Sequence, residues 1–266
     1  MTARFPRSVA LAVVAVVACA GARVARAQDV RDAHAAQPER PTVATHAGTV
    51  APGWFELETG IEADHAPGAR QLTTPTVLKF GLAEPVQLSV YLTSVRPADP
   101  RTYGFGDAAV GVKWRVVDDA PLVGDFAVLP AVKLPTGSAA RGTGTGTTDG
   151  SLLLISSHEL GPLALDINVG WTRHGSSASG PATTSTLWTI STGLDIARGL
   201  GWAAEVFGYP GTGGPAAAPA SVGFLTGPTY QVHPWFVADA GIIADVRGAQ
   251  APALYAGLTW NVGRAW

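Results

Sequence analysis

The sequence predicts an antiparallel, up-and-down transmembrane β-barrel of about twelve strands. Three observations predict it. Apolar residues recur with a period of two from Trp54 to the C-terminus. The connections between these runs alternate long and short. Only 14% of the 266 residues are Asp, Glu, Lys or Arg, against roughly 25% in soluble domains. A soluble all-β protein needs a charged outer face, and this chain lacks the charges to make one.

The alternation is clearest where one row is apolar and its opposite is small or polar. Leu163, Leu165, Ile167, Val169 and Trp171 oppose Ala164, Asp166, Asn168 and Gly170. Ala108, Val110, Val112, Trp114 and Val116 oppose Asp107, Ala109, Gly111, Lys113 and Arg115. Phe126, Val128, Pro130, Val132 and Leu134 form a third apolar row, and the segments around Trp188–Ile196 and Leu254–Val262 repeat the pattern. About nine alternating residues suffice for a tilted strand to cross the hydrocarbon. Twelve strands are expected, near 54–63, 72–82, 86–92, 107–116, 125–134, 150–157, 163–171, 187–196, 202–209, 222–231, 235–244 and 253–262. The second alternates poorly. In the sixth, Leu152-Leu153-Leu154-Ile155 is continuous, so its register is open.

Polar loops at 64–71, 93–106, 135–149, 172–186, 210–221 and 245–252 alternate with tight turns such as Ala83-Glu84-Pro85, Asp118–Pro121 and Val232-His233-Pro234. Outer-membrane barrels have this asymmetry, with long loops outside and short turns in the periplasm. An even strand count then places both termini in the periplasm. A soluble sandwich would share the alternation, but its polar faces would meet water. Here those faces are mostly Gly, Ala, Ser and Thr.

Residues 1–27 read as a cleaved secretory signal. Arg4 and Arg7 precede an apolar run, Val9–Ala18, and Ala25-Arg26-Ala27 gives the cleavage pattern, so the mature chain is expected to begin at Gln28. A rival is lipidation at Cys19 after Val16-Val17-Ala18. Conventional cleavage removes four arginines, moving the formal charge from −2 to −6, and removes the single cysteine. A basic nucleic-acid footprint is absent. Residues 28–52 are polar and rich in Ala, Pro, Thr and His, and are expected to be a flexible periplasmic linker to the barrel at 53–266. A folded plug would require hydrophobic residues that this stretch lacks.

Charges with inward parity are the candidate lumen-lining residues: Lys113, Arg115, Lys133, Asp107, Glu56, Glu58, Asp166, Asp195, Glu205 and Asp239. A cation at the lipid midplane costs about 2–4 kcal/mol, which alone directs charges inward. These residues could form a solute-selecting constriction or an internal salt-bridge network filling a narrow barrel. Trp266 shares parity with Trp260 and Val262, so a continued strand places it on the lipid face. It resembles the terminal aromatic signature of bacterial outer-membrane proteins, through which the barrel-assembly machinery would act.

Several segments resemble the outer-membrane barrel family named for the meta-pathway of phenol degradation. They are Gly104-Phe105-Gly106-Asp107 running into Gly111–Arg115, Val132-Lys133-Leu134-Pro135-Thr136-Gly137, Gly144-Thr145-Gly146-Thr147-Thr148-Asp149, and Asn168-Val169-Gly170-Trp171. The resemblance implies an outer-membrane protein that moves small, often hydrophobic, molecules.

The expected function is therefore a passive channel for small hydrophobic or aromatic solutes. The alternatives are a structural barrel with a sealed lumen and a lipid-modifying barrel enzyme. No cofactor is expected: Gly104–Ala109 matches a dinucleotide fingerprint but leads into a strand, and the six histidines lack metal spacing. No catalytic set is expected. Gly-x-Ser-x-Gly does not occur, His158 falls in a turn, and His65 and His174 fall in loops. A Ser–His pair at the rim would favour hydrolysis.

Overall fold

The computed structural model describes residues 32–64, 71–96, 103–176, 180–212, 218–248 and 251–266. The signal sequence, Cys19, the Gln28 start and His65 lie outside the described residues.

Strands follow where the period of two holds. They are β1 Trp54–Asp64, β2 Leu72–Ala83, β3 Val86–Arg96, β4 Gly104–Phe105, β5 Ala108–Ala120, β6 Gly124–Leu134 and β7 Asp149–Leu160. The second half holds β8 Leu163–His174, β9 Thr183–Ala197, β10 Leu200–Tyr209, β11 Ser221–His233, β12 Phe236–Arg247 and β13 Ala253–Arg264. Each long strand pairs antiparallel with its neighbour, and β1 pairs with both β2 and β13. The sheet therefore closes as a twelve-stranded barrel with one short extra strand, β4, bonded to β3. Closure removes the unpaired edges that a bilayer cannot satisfy.

The outer face is the apolar one. Val110, Trp114, Ile167, Val169, Trp171 and Trp260 are exposed, while Lys79, Lys113 and Glu56 are 0% exposed. This inversion of a soluble protein's surface is what lipid requires. The tight turns lie at the end that holds the start of β1 and the finish of β13. That end is periplasmic by the loop asymmetry.

Two expectations change. The Leu152–Ile155 run has a definite register: Leu152 opposes Trp171 and Leu154 opposes Val169 on the outer face, while Leu153 and Ile155 face in opposite Gly170 and Asn168. The run is continuous because the lumen is itself apolar there. Ile155 packs with Ala127, Leu129 and Leu153. Several strands also reach further outward than the alternation suggests: β8 runs to His174 and β9 starts at Thr183. His174 thus lies in a strand, where a loop was expected.

The larger correction concerns residues 33–52. They are not a linker outside the barrel. They enter the lumen from the periplasmic end and return to it. His34 stacks on Trp235 at a ring distance of 5.8 Å and packs at a tilt against Trp54 at 4.9 Å. Pro52 bridges to Gly81, and the Gly53 N–H donates to the Gly81 carbonyl at 2.8 Å. Between these points Ala44, Ala47 and Val50 are fully buried. The expectation failed because it required a plug to have its own hydrophobic core. This segment instead has its backbone groups satisfied by the barrel wall.

Candidate functional site

The lumen has three layers. The periplasmic layer is built by the wall and residues 33–52 together. Seven backbone N–H groups of the segment donate to wall side chains. Gln37 donates to Glu56 at 2.7 Å, Glu39 to Glu58 at 2.7 Å, and Val43 and Ala44 to the two oxygens of Glu205 at 2.7 and 2.8 Å. Thr45 donates to Asn168 at 2.8 Å, Ala47 to Ser157 at 2.8 Å, and Val50 to Gln87 at 2.9 Å. Asn168 also donates back to the Thr45 carbonyl at 3.0 Å. These acceptors come from five strands, so the chain is gripped around the circumference. A buried N–H without a partner is destabilising by about 1–3 kcal/mol, and this arrangement avoids that penalty.

Three cations complete the layer. Lys113 Nζ sits 2.5 Å from Glu39 and donates to Thr45 Oγ1 and the carbonyls of His46 and Gly48 at 2.9–3.1 Å. Lys79 Nζ sits 2.5 Å from Glu56 and 2.7 Å from Glu58. Arg40 pairs with Asp239 at 3.2 Å. Its guanidinium lies over the paired glycines Gly60 and Gly257 of β1 and β13. A Cβ at Gly60 would stand 2.6 Å from Arg40 Nη2, so the wall must be bare there.

Two segment groups have shifted acidities. Burial opposes ionisation of Glu39, but Lys113 and Lys79 outweigh it and hold the carboxyl well below the usual range. Burial, with Lys113 adding to it, pushes His46 down to about 3, so this imidazole is neutral.

The middle layer is apolar. Phe207, Leu225 and Tyr255 cluster there with Val43, Leu187 and Ile243. The Tyr255 hydroxyl is buried without a hydrogen-bond partner among the described residues.

The extracellular layer is a polar clip. Lys133 sits 3.0 Å from both Asp107 and Asp149. Asp107 accepts from the N–H groups of Gly137 and Thr145 at 3.0 and 2.8 Å and from the Thr145 hydroxyl at 2.8 Å. These bonds and Lys133 overcome burial and lower its carboxyl to about 2. Asp149 accepts from Thr147 Oγ1 at 2.8 Å, Gly175 N–H at 3.0 Å and His174 at 3.1 Å. The Lys-Leu-Pro-Thr-Gly and Gly-Thr-Gly-Thr-Thr-Asp segments are therefore the two ends of one loop, pinned inward at the mouth.

The residues expected to line the lumen separate into different environments. Glu56, Glu58, Lys113, Glu205 and Asp239 belong to the periplasmic layer, and Asp107 and Lys133 to the mouth. Asp166 accepts from Ser157 at 2.5 Å between β8 and β7. Arg115 pairs with Asp118 on its own strand at the periplasmic rim, and Asp195 is exposed at that rim. Lys113, Arg115 and Lys133 thus form no common positive patch. Residues missed were Lys79, Gln87, Ser157, Glu39 and Arg40. Lys79 carried a signal, since a lysine on a spanning strand must face inward.

A closed barrel with a lipid-facing apolar belt and a polar interior defines an outer-membrane-type β-barrel protein. The family model described as "Putative MetA-pathway of phenol degradation" matches residues 40–260. The chain belongs to that family. Among solved structures it is similar to the COG4313 outer membrane channel from Pseudomonas putida F1, at 13% identity and a TM-score of 0.64, over 83% of this chain and 99% of that one. It is also similar to the NanC porin, at 11% identity and a TM-score of 0.53, over 78% of this chain and 100% of that one. These likenesses extend to the fold. Comparison with curated proteins returns no match.

Proposed function

We propose that the protein is a passive outer-membrane channel for small hydrophobic or aromatic molecules, held closed on the periplasmic side by residues 33–52. One observation carries this reading. Among the described residues, the side-chain hydrogen bonds and ion pairs of Lys113, Glu205 and Asn168 all go to the segment. Such a wall is completed by a piece of chain that is continuous with β1 at Gly53 and is otherwise held by hydrogen bonds and ion pairs. The apolar middle layer supports an apolar solute. The family's name and the channel structures of like fold support the same class of activity. The signal-like residues 1–27 support export with cleavage before Gln28, and the exposed Trp266 supports recognition by the barrel-assembly machinery.

Solute flux into liposomes carrying the refolded protein tests the reading, with planar-bilayer conductance alongside. Small aromatic solutes should enter faster than sugars of equal size, and unseating the segment should raise conductance. Zero flux for every solute, with the segment docked or unseated, would favour a structural barrel with a sealed lumen.

A further inference from the structure

At the extracellular mouth three inward-facing side chains are connected in series. Asp149 opens β7, His174 closes β8, and Ser185 is the third residue of β9. The register assembles them, since Gly150 pairs with Arg173 and Thr172 pairs with Ser185. Asp149 Oδ2 lies 3.1 Å from His174 Nδ1, and His174 Nε2 lies 2.8 Å from Ser185 Oγ. A carboxylate on Nδ1 fixes the proton there and leaves the Nε2 lone pair facing the serine hydroxyl. Order, atoms and distances are those of a nucleophile, its base and the group that orients the base.

The surroundings suit the role. Asp149 is buried and anchored by Thr147, Gly175 and Lys133, so it cannot turn away from the ring. The His174 side chain keeps 39% of its exposure, which leaves the array open from outside. One pleat deeper, Leu153, Gly170 and Leu187 lie in register across the same three strands. Leu187 continues into the Phe207, Leu225 and Tyr255 cluster. The array therefore stands one pleat above an apolar stretch of the inner wall. The Ser156–His158 contact near the periplasmic end differs. There the serine hydroxyl donates to the Val123 carbonyl at 2.7 Å, so its proton is committed elsewhere.

We propose that Ser185, His174 and Asp149 form a hydrolytic site for carboxylic esters with a small apolar acyl or aryl group. Ser185 Oγ attacks the ester carbonyl carbon while its proton passes to His174 Nε2. The bond from that carbon to the leaving oxygen breaks, and the leaving oxygen takes the proton from Nε2. An acyl group then sits on Ser185. Water gives a proton to Nε2 and adds to the acyl carbon. The carboxylic acid departs, and Ser185 Oγ recovers the proton. Asp149 is the positioning residue that holds the ring and offsets its transient charge. This activity is independent of whether the lumen conducts.

The test uses the refolded full-length chain in detergent, with heat-modifiable migration as the check on folding. A fluorophosphonate probe should label the protein at Ser185, located by peptide mass spectrometry, and p-nitrophenyl butyrate should be turned over. Ser185→Ala should abolish labelling. His174→Gln should lower turnover on the order of 10²–10⁴-fold, the usual contribution of a general base. Asp149→Asn should displace the pH–rate profile in folded protein, which a purely structural clip would not do. An unlabelled wild-type protein, labelling that survives Ser185→Ala, or equal turnover by wild type and His174→Gln would overturn the assignment.

Discussion

The two polar ends of the lumen are built from similar residue types and behave as opposites. At the periplasmic end, Lys79 and Lys113 are 0% exposed, and their partners include Glu39 from a segment folded into the lumen. At the mouth, the side chain of Lys133 keeps 22% exposure, and it joins two aspartates that also hold the adjacent loop. The first is a dry network in which a lost partner leaves an uncompensated charge. The second is a clip whose lysine reaches water and whose aspartates accept further hydrogen bonds from the loop. Burial, rather than the number of bonds, separates a seal from a loop fastening.

The largest expected effect breaks the dry network. Lys113→Met leaves Glu39 buried without its nearest cation, and removing one partner of a buried pair costs about 3–5 kcal/mol. The segment should undock, seen as raised conductance and faster hydrogen exchange over residues 37–50. Unchanged values in both would mean that Lys113 does not hold the seal.

A steric route should give the same outcome with a smaller shift. A Cβ at Gly257 would stand 2.5 Å from Arg40 Nη2. Gly257→Leu should therefore displace Arg40 from Asp239, with an overpacking cost of about 1–3 kcal/mol. Protease access to Arg40 from the periplasmic side, measured on oriented proteoliposomes, checks this. Protection equal to wild type would place the guanidinium elsewhere.

Acid should loosen the seal from one end alone. His46 titrates near 3 when docked, against 6.5 when free, and Glu39 titrates below its free value of 4.5. Both docked groups bind protons less readily than free ones. The docked state is therefore favoured above about pH 6.5 and weakens as pH falls, first through His46 and then, below about pH 4.5, through Glu39. Lys113 and Lys79 face both groups. Conductance should rise between pH 7 and pH 4, and His46→Gln should flatten the upper part of that rise. A flat profile in the wild-type protein would remove these two groups as the control.

The smallest effect is expected at the mouth. Lys133→Met removes a partly exposed cation whose two aspartates keep other hydrogen bonds, so the loss is expected to be about 1 kcal/mol. The loop at 135–148 should become more accessible to protease, with conductance unchanged. A conductance change equal to that of Lys113→Met would erase the distinction between the two ends.

Much of the barrel was legible because lipid imposes a simple rule. Ile167, Val169 and Trp171 had to face outward and Asp166 and Asn168 inward, whatever the lumen contained. Ten charged positions followed from the same parity, but parity says nothing of depth. It could not separate Lys113, which lies at the seal, from Arg115, which pairs with Asp118 at the rim. Lys79 escaped notice because Pro75 and the neighbouring threonines blur the alternation of β2.

The sequence by itself determined a closed antiparallel barrel, its facing and the end at which the chain begins, since each follows from a period of two, a low charge content and loop lengths. Only the tertiary structure decided what fills the barrel. Residues 33–52 have no apolar period and read as unstructured, because their order comes from acceptors scattered over Glu56, Glu58, Glu205, Asn168, Ser157 and Gln87. The meeting of Asp149, His174 and Ser185 likewise depends on how β7, β8 and β9 pair at their outer ends. Strand alternation is local and visible along one chain. Four of the seven backbone hydrogen bonds from the segment join residues more than a hundred positions apart, and only closure brings those within reach.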